Sequence, residues 1–218
     1  QIDCSTSAIG VWFLFYILPV YQTGHSIFMR NIVAVVVLSF IGLEVIAQTG
    51  EVAFISNRDG YPDIFLVDLE KGNFKNLTSD PAIENDPVWS PDGTKLLFAS
   101  NRSGNNDIYL LDFTSNTSIN LTDHPSVDAG ASWSPDGREV AFVSNRDHPL
   151  GEIYTMRVGS QQVKRLTFNE YYEVAPRFSP DGSRIAFCRQ LPPKETQSGA
   201  SDTDIFVMDR SGGSVRQV

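Results

Sequence analysis

The most constraining feature of this sequence is an internal repeat. The tetrapeptide Ser-Pro-Asp-Gly occurs at residues 90–93, 134–137 and 179–182, so successive copies start 44 and then 45 residues apart. The tripeptide Ser-Asn-Arg keeps the same phase, at residues 56–58, 100–102 and 144–146. Self-similarity at a period of this length indicates a series of supersecondary units that bury their faces on one another. The repeat therefore limits the fold to a stacked or circular array.

Each unit reads as four short antiparallel strands, A to D. In the unit around the first Ser-Pro-Asp-Gly, they are predicted at residues 87–90, 95–99, 107–112 and 118–121, where short apolar runs are bounded by turn residues. The Pro, Asp and Gly of the tetrapeptide suit a tight turn between strands A and B. Four antiparallel strands every ~40 to 50 residues are typical of a β-propeller. We predict an all-β propeller of about four blades, with repeats at 51–93, 94–137, 138–182 and 183–218.

Residues 1–50 have a different composition. They hold only three of the 43 charged residues, Asp3, Arg30 and Glu44, together with two apolar runs. Neither run clearly reaches the ~20 residues that cross a bilayer. We therefore expect the propeller to lie entirely after this leader, with helix confined to the leader.

Residues 29–47 have the layout of a secretory signal peptide. Met29 and Arg30 form a short basic start, residues 32–43 are apolar, and the small Ala47 precedes the expected cleavage point. An uncleaved membrane anchor is the open alternative. Either way the propeller would lie outside the cytoplasm, as a periplasmic or secreted protein or one anchored by this segment. Residues 1–28 would be an apolar extension of uncertain status before a start at Met29.

The repeat resembles the TolB-like propeller repeat, in which an aromatic residue precedes Ser-Pro-Asp-Gly and a strand ending in Phe leads into Ser-Asn-Arg and Asp-Ile-Tyr. The aromatic positions here are Trp89, Trp133 and Phe178. The resemblance covers residues 51–218 and implies six blades in the complete ring and a binding or scaffolding role. It does not extend to the Tol-Pal protein itself, in which an α/β domain precedes the propeller. Here the repeats begin within four residues of the expected cleavage point.

Positions that recur in every unit are predicted to be structural, because every blade needs them. They are the aromatic residue, the Asp and Gly of the turn, and the charges around the B–C loop: Trp89, Asp92, Gly93, Trp133, Asp136, Gly137, Phe178, Asp181, Gly182, Arg58, Asp63, Arg102, Asp107, Arg146 and Glu152. We predict a charge-assisted hydrogen bond across each B–C loop, from Arg58 to Asp63 and at the equivalent pairs.

Composition and motifs argue against several activities. The net charge of −9 excludes a partner held mainly through phosphate contacts, so no nucleic acid is expected. Two cysteines and three histidines give no disulfide framework, and neither a metal nor a cofactor is predicted. The sequence contains no Gly-x-Ser-x-Gly, no His-Glu-x-x-His and no phosphate-binding Gly-rich loop. We therefore expect this chain not to be an enzyme.

Function should lie where the units differ. In a four-stranded meander the B–C and D–A loops lie on one face, and these are the long and variable segments. We predict that this face binds a protein or a small molecule, with tyrosines as anchors and acidic residues favouring a basic partner. The candidate residues are Glu84, Asp86, His124, Asp128, Glu170, Tyr171, Tyr172 and Glu173.

Three functional interpretations remain open from the sequence. The first is a binding or scaffolding module outside the cytoplasm. The second is the substrate-gating propeller of a prolyl-oligopeptidase-like serine peptidase, whose catalytic domain would follow residue 218. The third is a sensor ectodomain tethered to a membrane by the leader. Fold alone does not separate them, because propellers serve both binding and catalysis.

Overall fold

A computed structural model describes residues 50–160, 162–191 and 202–218. These residues form four antiparallel sheets, which confirms the predicted all-β propeller architecture. They include no helix with the length and apolar character of a membrane span. The predicted signal peptide or anchor at 29–47 and the extension at 1–28 lie outside the described residues.

The strands follow one another in chain order within each blade. Blade 1 contains β1 (Glu51–Ser56), β2 (Asp63–Asp68) and β3 (Phe74–Asn76). Blade 2 contains β4 (Glu84–Trp89), β5 (Lys95–Ser100), β6 (Asp107–Asp112) and β7 (Thr117–Asn120). Blade 3 contains β8 (Asp128–Trp133), β9 (Glu139–Ser144), β10 (Glu152–Arg157) and β11 (Val163–Arg165). Blade 4 contains β12 (Tyr172–Phe178), β13 (Arg184–Leu191), β14 (Asp202–Asp209) and β15 (Arg216–Gln217).

The hydrophobic core lies between blades rather than within them. Side chains of β5 alternate between two neighbours: Leu96 and Phe98 pack with blade 1, whereas Leu97 packs with blade 3. A third cluster joins blades 3 and 4 through residues such as Ile153 and Phe187. Because both faces of the sheets in blades 2 and 3 are covered, their middle strands are largely apolar, and this explains why they appear in the sequence as short apolar runs.

The first strands of blades 2 to 4 contact one another in succession, β4 with β8 and β8 with β12. They therefore line the centre of the array, and we call them the inner wall. Each contains a β-bulge, between Asn85 and Val88 in β4 and at the equivalent places in β8 and β12. One residue of each bulge has a positive φ: Asp86 (52°), Gly130 (64°) and Ala175 (55°).

The first strands begin earlier than predicted. Strand A was expected at residues 87–90, but β4 starts at Glu84, so both Glu84 and Asp86 belong to the strand rather than to the preceding loop. The same holds for Asp128 in β8 and Glu173 in β12. The bulge interrupts the alternation of side chains, and for this reason the sequence pattern concealed the first half of each strand.

The Ser-Pro-Asp-Gly segments form the predicted tight turns. Ser134 Oγ donates to Asp136 Oδ1 at 2.6 Å and accepts the Glu139 N–H at 2.8 Å, while Gly137 has a φ of 66°. Hydrogen bonds from Ser134 and from the Arg138 N–H lower the pKa of Asp136 to about 2. The turn is therefore held by an ionised Asp, which explains the recurrence of Ser, Asp and Gly together.

Candidate binding face

The B–C and D–A loops lie at one end of the blades, and we call this end the loop face. Its described B–C loops are residues 57–62, 101–106 and 145–151, and its D–A loops are residues 77–83, 121–127 and 166–171. The candidate residues predicted from the sequence lie in these loops or among the first residues of the inner-wall strands β4, β8 and β12. Their surroundings decide which of them a partner could reach.

In blade 2 all three residues of Ser-Asn-Arg bind the start of the inner strand. Arg102 Nη2 donates to Glu84 Oε1 at 2.8 Å, and Ser100 Oγ donates to the same oxygen at 2.9 Å. Asn101 Oδ1 accepts the N–H of Ile83 at 2.8 Å. The tripeptide therefore joins the B–C loop to the strand that follows the D–A loop.

Blades 3 and 4 repeat this arrangement. Arg146 Nη2 donates to both carboxylate oxygens of Asp128 at 3.1 Å, and Arg189 donates from Nε at 2.8 Å and Nη2 at 2.6 Å to Glu173 Oε1. The three acids of this type, Glu84, Asp128 and Glu173, have no exposed surface. Burial raises the pKa of Glu84 above its ordinary value although Arg102 opposes this shift.

This burial corrects the expectation for three candidate residues. Glu84, Asp128 and Glu173 were predicted to present charge to a partner, but each is enclosed and paired with an arginine. A buried ion pair presents little net charge to solvent. These three acids therefore belong to the architecture of the blades.

The predicted pairing across the B–C loop is also wrong. Asp107 is bound by the residues that follow β6, with Asn120 Nδ2 donating at 2.8 Å and Thr122 Oγ1 at 3.2 Å. Asp63 is bound in the same way by Asn76 and Thr78, both at 2.9 Å. The acid at the start of the third strand faces the fourth strand, whereas the loop arginine turns back to the first.

Blade 3 has a different pair at this place. Glu152 replaces Asp, and Arg165 replaces Asn, with Arg165 Nη2 donating to Glu152 Oε1 at 3.0 Å. In blade 4 Gln217 Nε2 donates to Asp204 Oδ2 at 2.7 Å. The partner was missed from the sequence, although Asn76 and Asn120 recur immediately before Leu-Thr and could have indicated it.

The paired arginines also stack on aromatic rings of their own blade. The Arg102 guanidinium lies 4.9 Å from the Tyr109 ring centre, and Arg189 lies 4.5 Å from that of Phe206. In blade 1, Arg58 lies 4.5 Å from the Phe74 ring centre, and no ion pair joins it to a carboxylate among the described residues. Cation–π contact is thus the common element in all four blades.

The other candidates differ in accessibility. Asp86 and Glu170 are exposed, and Tyr172 is 48% exposed. His124 is half-buried, and its Nδ1 accepts the N–H of Ser126 at 3.2 Å. Tyr171 is half-buried beneath Arg189, whose guanidinium lies 5.1 Å from the ring centre. Of the two tyrosines, only Tyr172 therefore presents a largely accessible ring.

Exposed apolar side chains mark the loop face in a way that the sequence did not reveal. Six of the large hydrophobic residues that remain exposed lie in its loops or at the adjoining strand end: Tyr61, Ile83, Val127, Leu150, Phe168 and Tyr172. Ile83 and Val127 immediately precede the buried acids Glu84 and Asp128. Their backbone N–H groups bind Asn101 and Asn145, so the Ser-Asn-Arg arrangement fixes the position of these apolar residues.

The described residues contain no group of three or more His, Cys, Asp or Glu side chains placed to hold a metal ion. The buried acids of the loop face are instead engaged with arginine, asparagine and threonine donors. The Tyr154 hydroxyl also donates to Asp147 Oδ2 at 2.7 Å.

Antiparallel sheets of three or four strands, first strands that meet at the centre, and hydrophobic cores between the blades define a β-propeller. Residues 48–218 match the family described as the TolB beta propeller domain, so the chain belongs to that family. The resemblance predicted from the Ser-Pro-Asp-Gly and Ser-Asn-Arg motifs is thereby confirmed.

Several known proteins are similar to this chain. A TolB homologue of Chlorobium luteolum is 30% identical over 165 residues, which is 76% of this chain and 35% of the homologue. The crystal structure of TolB from Acinetobacter baumannii has a TM-score of 0.63 and 28% identity, covering 78% of this chain and 41% of that one. A puromycin hydrolase structure has a TM-score of 0.61 at 14% identity, covering 78% and 27%. The chain thus spans less than half the length of each.

Proposed function

We propose that this protein is a binding or scaffolding module that recognises a protein or small-molecule partner through its loop face. The observation that carries this proposal is the concentration of exposed apolar side chains on that face, from Tyr61 in blade 1 to Tyr172 in blade 4. Exposed apolar groups of this kind mark interaction sites, and aromatic residues are enriched among binding hot spots.

The division of labour within each repeat supports the same proposal. The recurring charged residues form ion pairs and hydrogen bonds within the blades, as in the pair between Arg146 and Asp128. The residues that differ from blade to blade, such as Val127 and Phe168, are the ones left accessible. A rigid frame with variable loops suits recognition, because loops held by a rigid scaffold often carry binding residues.

The chemistry of the partner follows from what remains exposed. Asp86 and Glu170 are accessible acids on or beside this face, and would favour basic groups at the edge of a partner. Phe168 and Tyr172 would contact apolar groups. We do not include nucleic acid, since the acidic balance of the chain disfavours phosphate contacts.

The proposed location is outside the cytoplasm, in the periplasm or as a secreted protein. The signal-like layout of residues 29–47 and membership of the TolB beta propeller family support it. Retention of that segment as a membrane anchor would make the protein a tethered ectodomain. Mass spectrometry of the mature N-terminus separates the two, because cleavage would leave Gln48 as the first residue.

A second function is the substrate-gating propeller of a serine peptidase. The likeness to puromycin hydrolase favours it, but at 14% identity this likeness concerns the fold alone. The sequence that follows residue 218 in the full-length protein would distinguish the peptidase from the binding module. A Gly-x-Ser-x-Gly segment there would favour the peptidase, and further blades without it would favour the binding module.

Site-specific photo-crosslinking in the native cells tests the loop face. A benzophenone side chain placed at residue 127 or 172 should give adducts to a partner. The matched control is residue 69, where Leu69 is exposed on the β2–β3 turn at the opposite end of the blade. Equal adducts from residue 69, or none from residues 127 and 172, would contradict the proposal.

A further inference from the structure

Arg177, on the inner wall, differs from the loop arginines described above because it does not pair with a buried acid. Arg177 lies in β12, and its Nη1 donates to the carbonyl oxygen of Pro176 at 2.9 Å and to those of Gly130 and Ala131 in β8 at 3.4 Å. The guanidinium therefore reaches from blade 4 to the inner strand of blade 3. In the described residues it forms no ion pair.

Arg177 lies on the inner wall, and its side chain is exposed to solvent. The surrounding protein lowers the pKa of the guanidinium by removing water from it, and the charge of Asp86 opposes this shift. A ligand can therefore reach the guanidinium from solvent, and Asp86 places a negative charge in its vicinity.

The position of Arg177 is one at which the blades differ. It follows the positive-φ residue of its bulge by two positions, and the equivalent residues are Val88 in β4 and Ser132 in β8. A structural need shared by every blade therefore does not account for an arginine here. Its Nη1 satisfies carbonyl oxygens at the bulge of β8, and its Nε and Nη2 have no hydrogen-bond partner among the described residues.

We propose that the inner wall binds a carboxylate group of a ligand at Arg177. This inference rests on the proposed binding function and names the chemical class that the centre of the propeller would select. Three carbonyl acceptors hold one edge of the guanidinium, which leaves a planar pair of N–H donors suited to two-point contact with a carboxylate. Asp86, on β4, carries the opposing charge at this place, so it should reduce affinity for the same ligand.

Isothermal titration of the full-length protein tests this inference. The probes are succinate, the uncharged analogue succinamide, and the blocked peptide acetyl-Gly-Glu-Gly-amide. Succinate should bind and succinamide should not. Binding of the peptide would identify an acidic side chain of a protein as a suitable source of the carboxylate, whereas binding of succinate alone would identify a small acid.

Substitutions at Arg177 and at Asp86 should change the affinity for succinate in opposite directions. Arg177→Gln should weaken succinate binding at least about tenfold, since it removes a charge-assisted pair of hydrogen bonds. Arg177→Lys, which keeps the charge without the planar fork, should weaken it less, and Asp86→Asn should strengthen it. The control is Arg184→Gln, an exposed arginine at the start of β13, which should bind as the wild type does.

Three results would overturn the inference: no binding of either carboxylate probe, equal binding of succinamide, or undiminished binding by a folded Arg177→Gln protein. Circular dichroism establishes folding, and Arg177→Lys provides a second variant if the glutamine protein is unstable. Failure of the loop-face proposal would appear separately, as absent crosslinks from residues 127 and 172, which lie in a D–A loop and at the start of β12.

Discussion

Arg102 Nη2 lies 2.8 Å from Glu84 Oε1, and the two residues are 18 positions apart in the sequence. Glu84 has no exposed surface, and its second oxygen is buried without a hydrogen-bond partner. The ion pair therefore does more than add one contact, because it neutralises a carboxylate that the fold has removed from water. The same relationship joins Arg146 to Asp128 in the next blade.

Removing the arginine should therefore be costly. Arg102→Gln leaves Glu84 buried without its countercharge, and breaking a buried pair in this way typically costs about 3–5 kcal/mol. Urea unfolding measured by fluorescence gives the change in unfolding free energy. The control is Lys71→Gln, which breaks an exposed pair with Asp68 and should cost far less, because exposed ion pairs contribute little to stability. Equal losses in the two variants would show that burial does not matter.

The pH dependence of the unfolding free energy should show the contribution of the ionised Asp in the Ser-Pro-Asp-Gly turns. The pKa of Asp136 falls from 3.8 to about 2 in the fold, through Ser134 and the Arg138 N–H. Because the unfolded chain binds the proton first, Asp136 contributes stability above about pH 4 that is lost as the pH falls towards 2. Unfolding free energies measured from pH 5 to 2 should fall less steeply in Asp136→Asn. An unchanged slope would contradict this assignment.

The polar contacts that close each blade should also matter. Thr122 Oγ1 donates to Asp107 and accepts the Ile108 N–H at 3.0 Å, in a buried place. Thr122→Val removes both contacts and leaves polar groups unsatisfied, which should cost about 1–3 kcal/mol. Thr117→Val on the exposed strand β7 is the matched control and should change stability by under about 0.5 kcal/mol. Thermal unfolding of both variants provides the comparison.

The sequence predicted the blades because their turns repeat. Ser90, Asp92 and Gly93 have local roles, and local roles leave a residue pattern that can be read without the fold. The starts of the inner strands were not predicted, because a bulge at Asp86 or Gly130 breaks the alternation on which strand recognition depends.

The binding face was predicted only in part for a different reason. An acid such as Asp128 after a polar loop looks solvated, and its burial depends on Arg146, which lies 18 residues later. The constant spacing in blades 2 and 3 was visible in the sequence, yet it competed with the nearer acids Asp107 and Glu152. Accessibility of Ile83 and Val127 had no local signal, since apolar residues in a sequence are ordinarily read as core.

The turn between β14 and β15 provides the last prediction. Gly212 has a φ of 95°, and a Cβ there would lie 2.7 Å from the carbonyl oxygen of Leu166, which follows β11 in the neighbouring blade. Backbone cannot move aside as a flexible side chain can, so Gly212→Ala should separate the outer ends of blades 3 and 4.

The matched control for this substitution is Gly72→Ala, since Gly72 has a φ of 67° and open space around the added Cβ. Gly72→Ala incurs only the backbone cost of a positive φ, about 1–2 kcal/mol. Gly212→Ala should lose more stability than this and speed hydrogen exchange at Leu166, whose N–H donates to Ile153 at 2.8 Å. Equal stability of the two variants would contradict this prediction, because it would mean that blades 3 and 4 accommodate the added Cβ without loss of unfolding free energy.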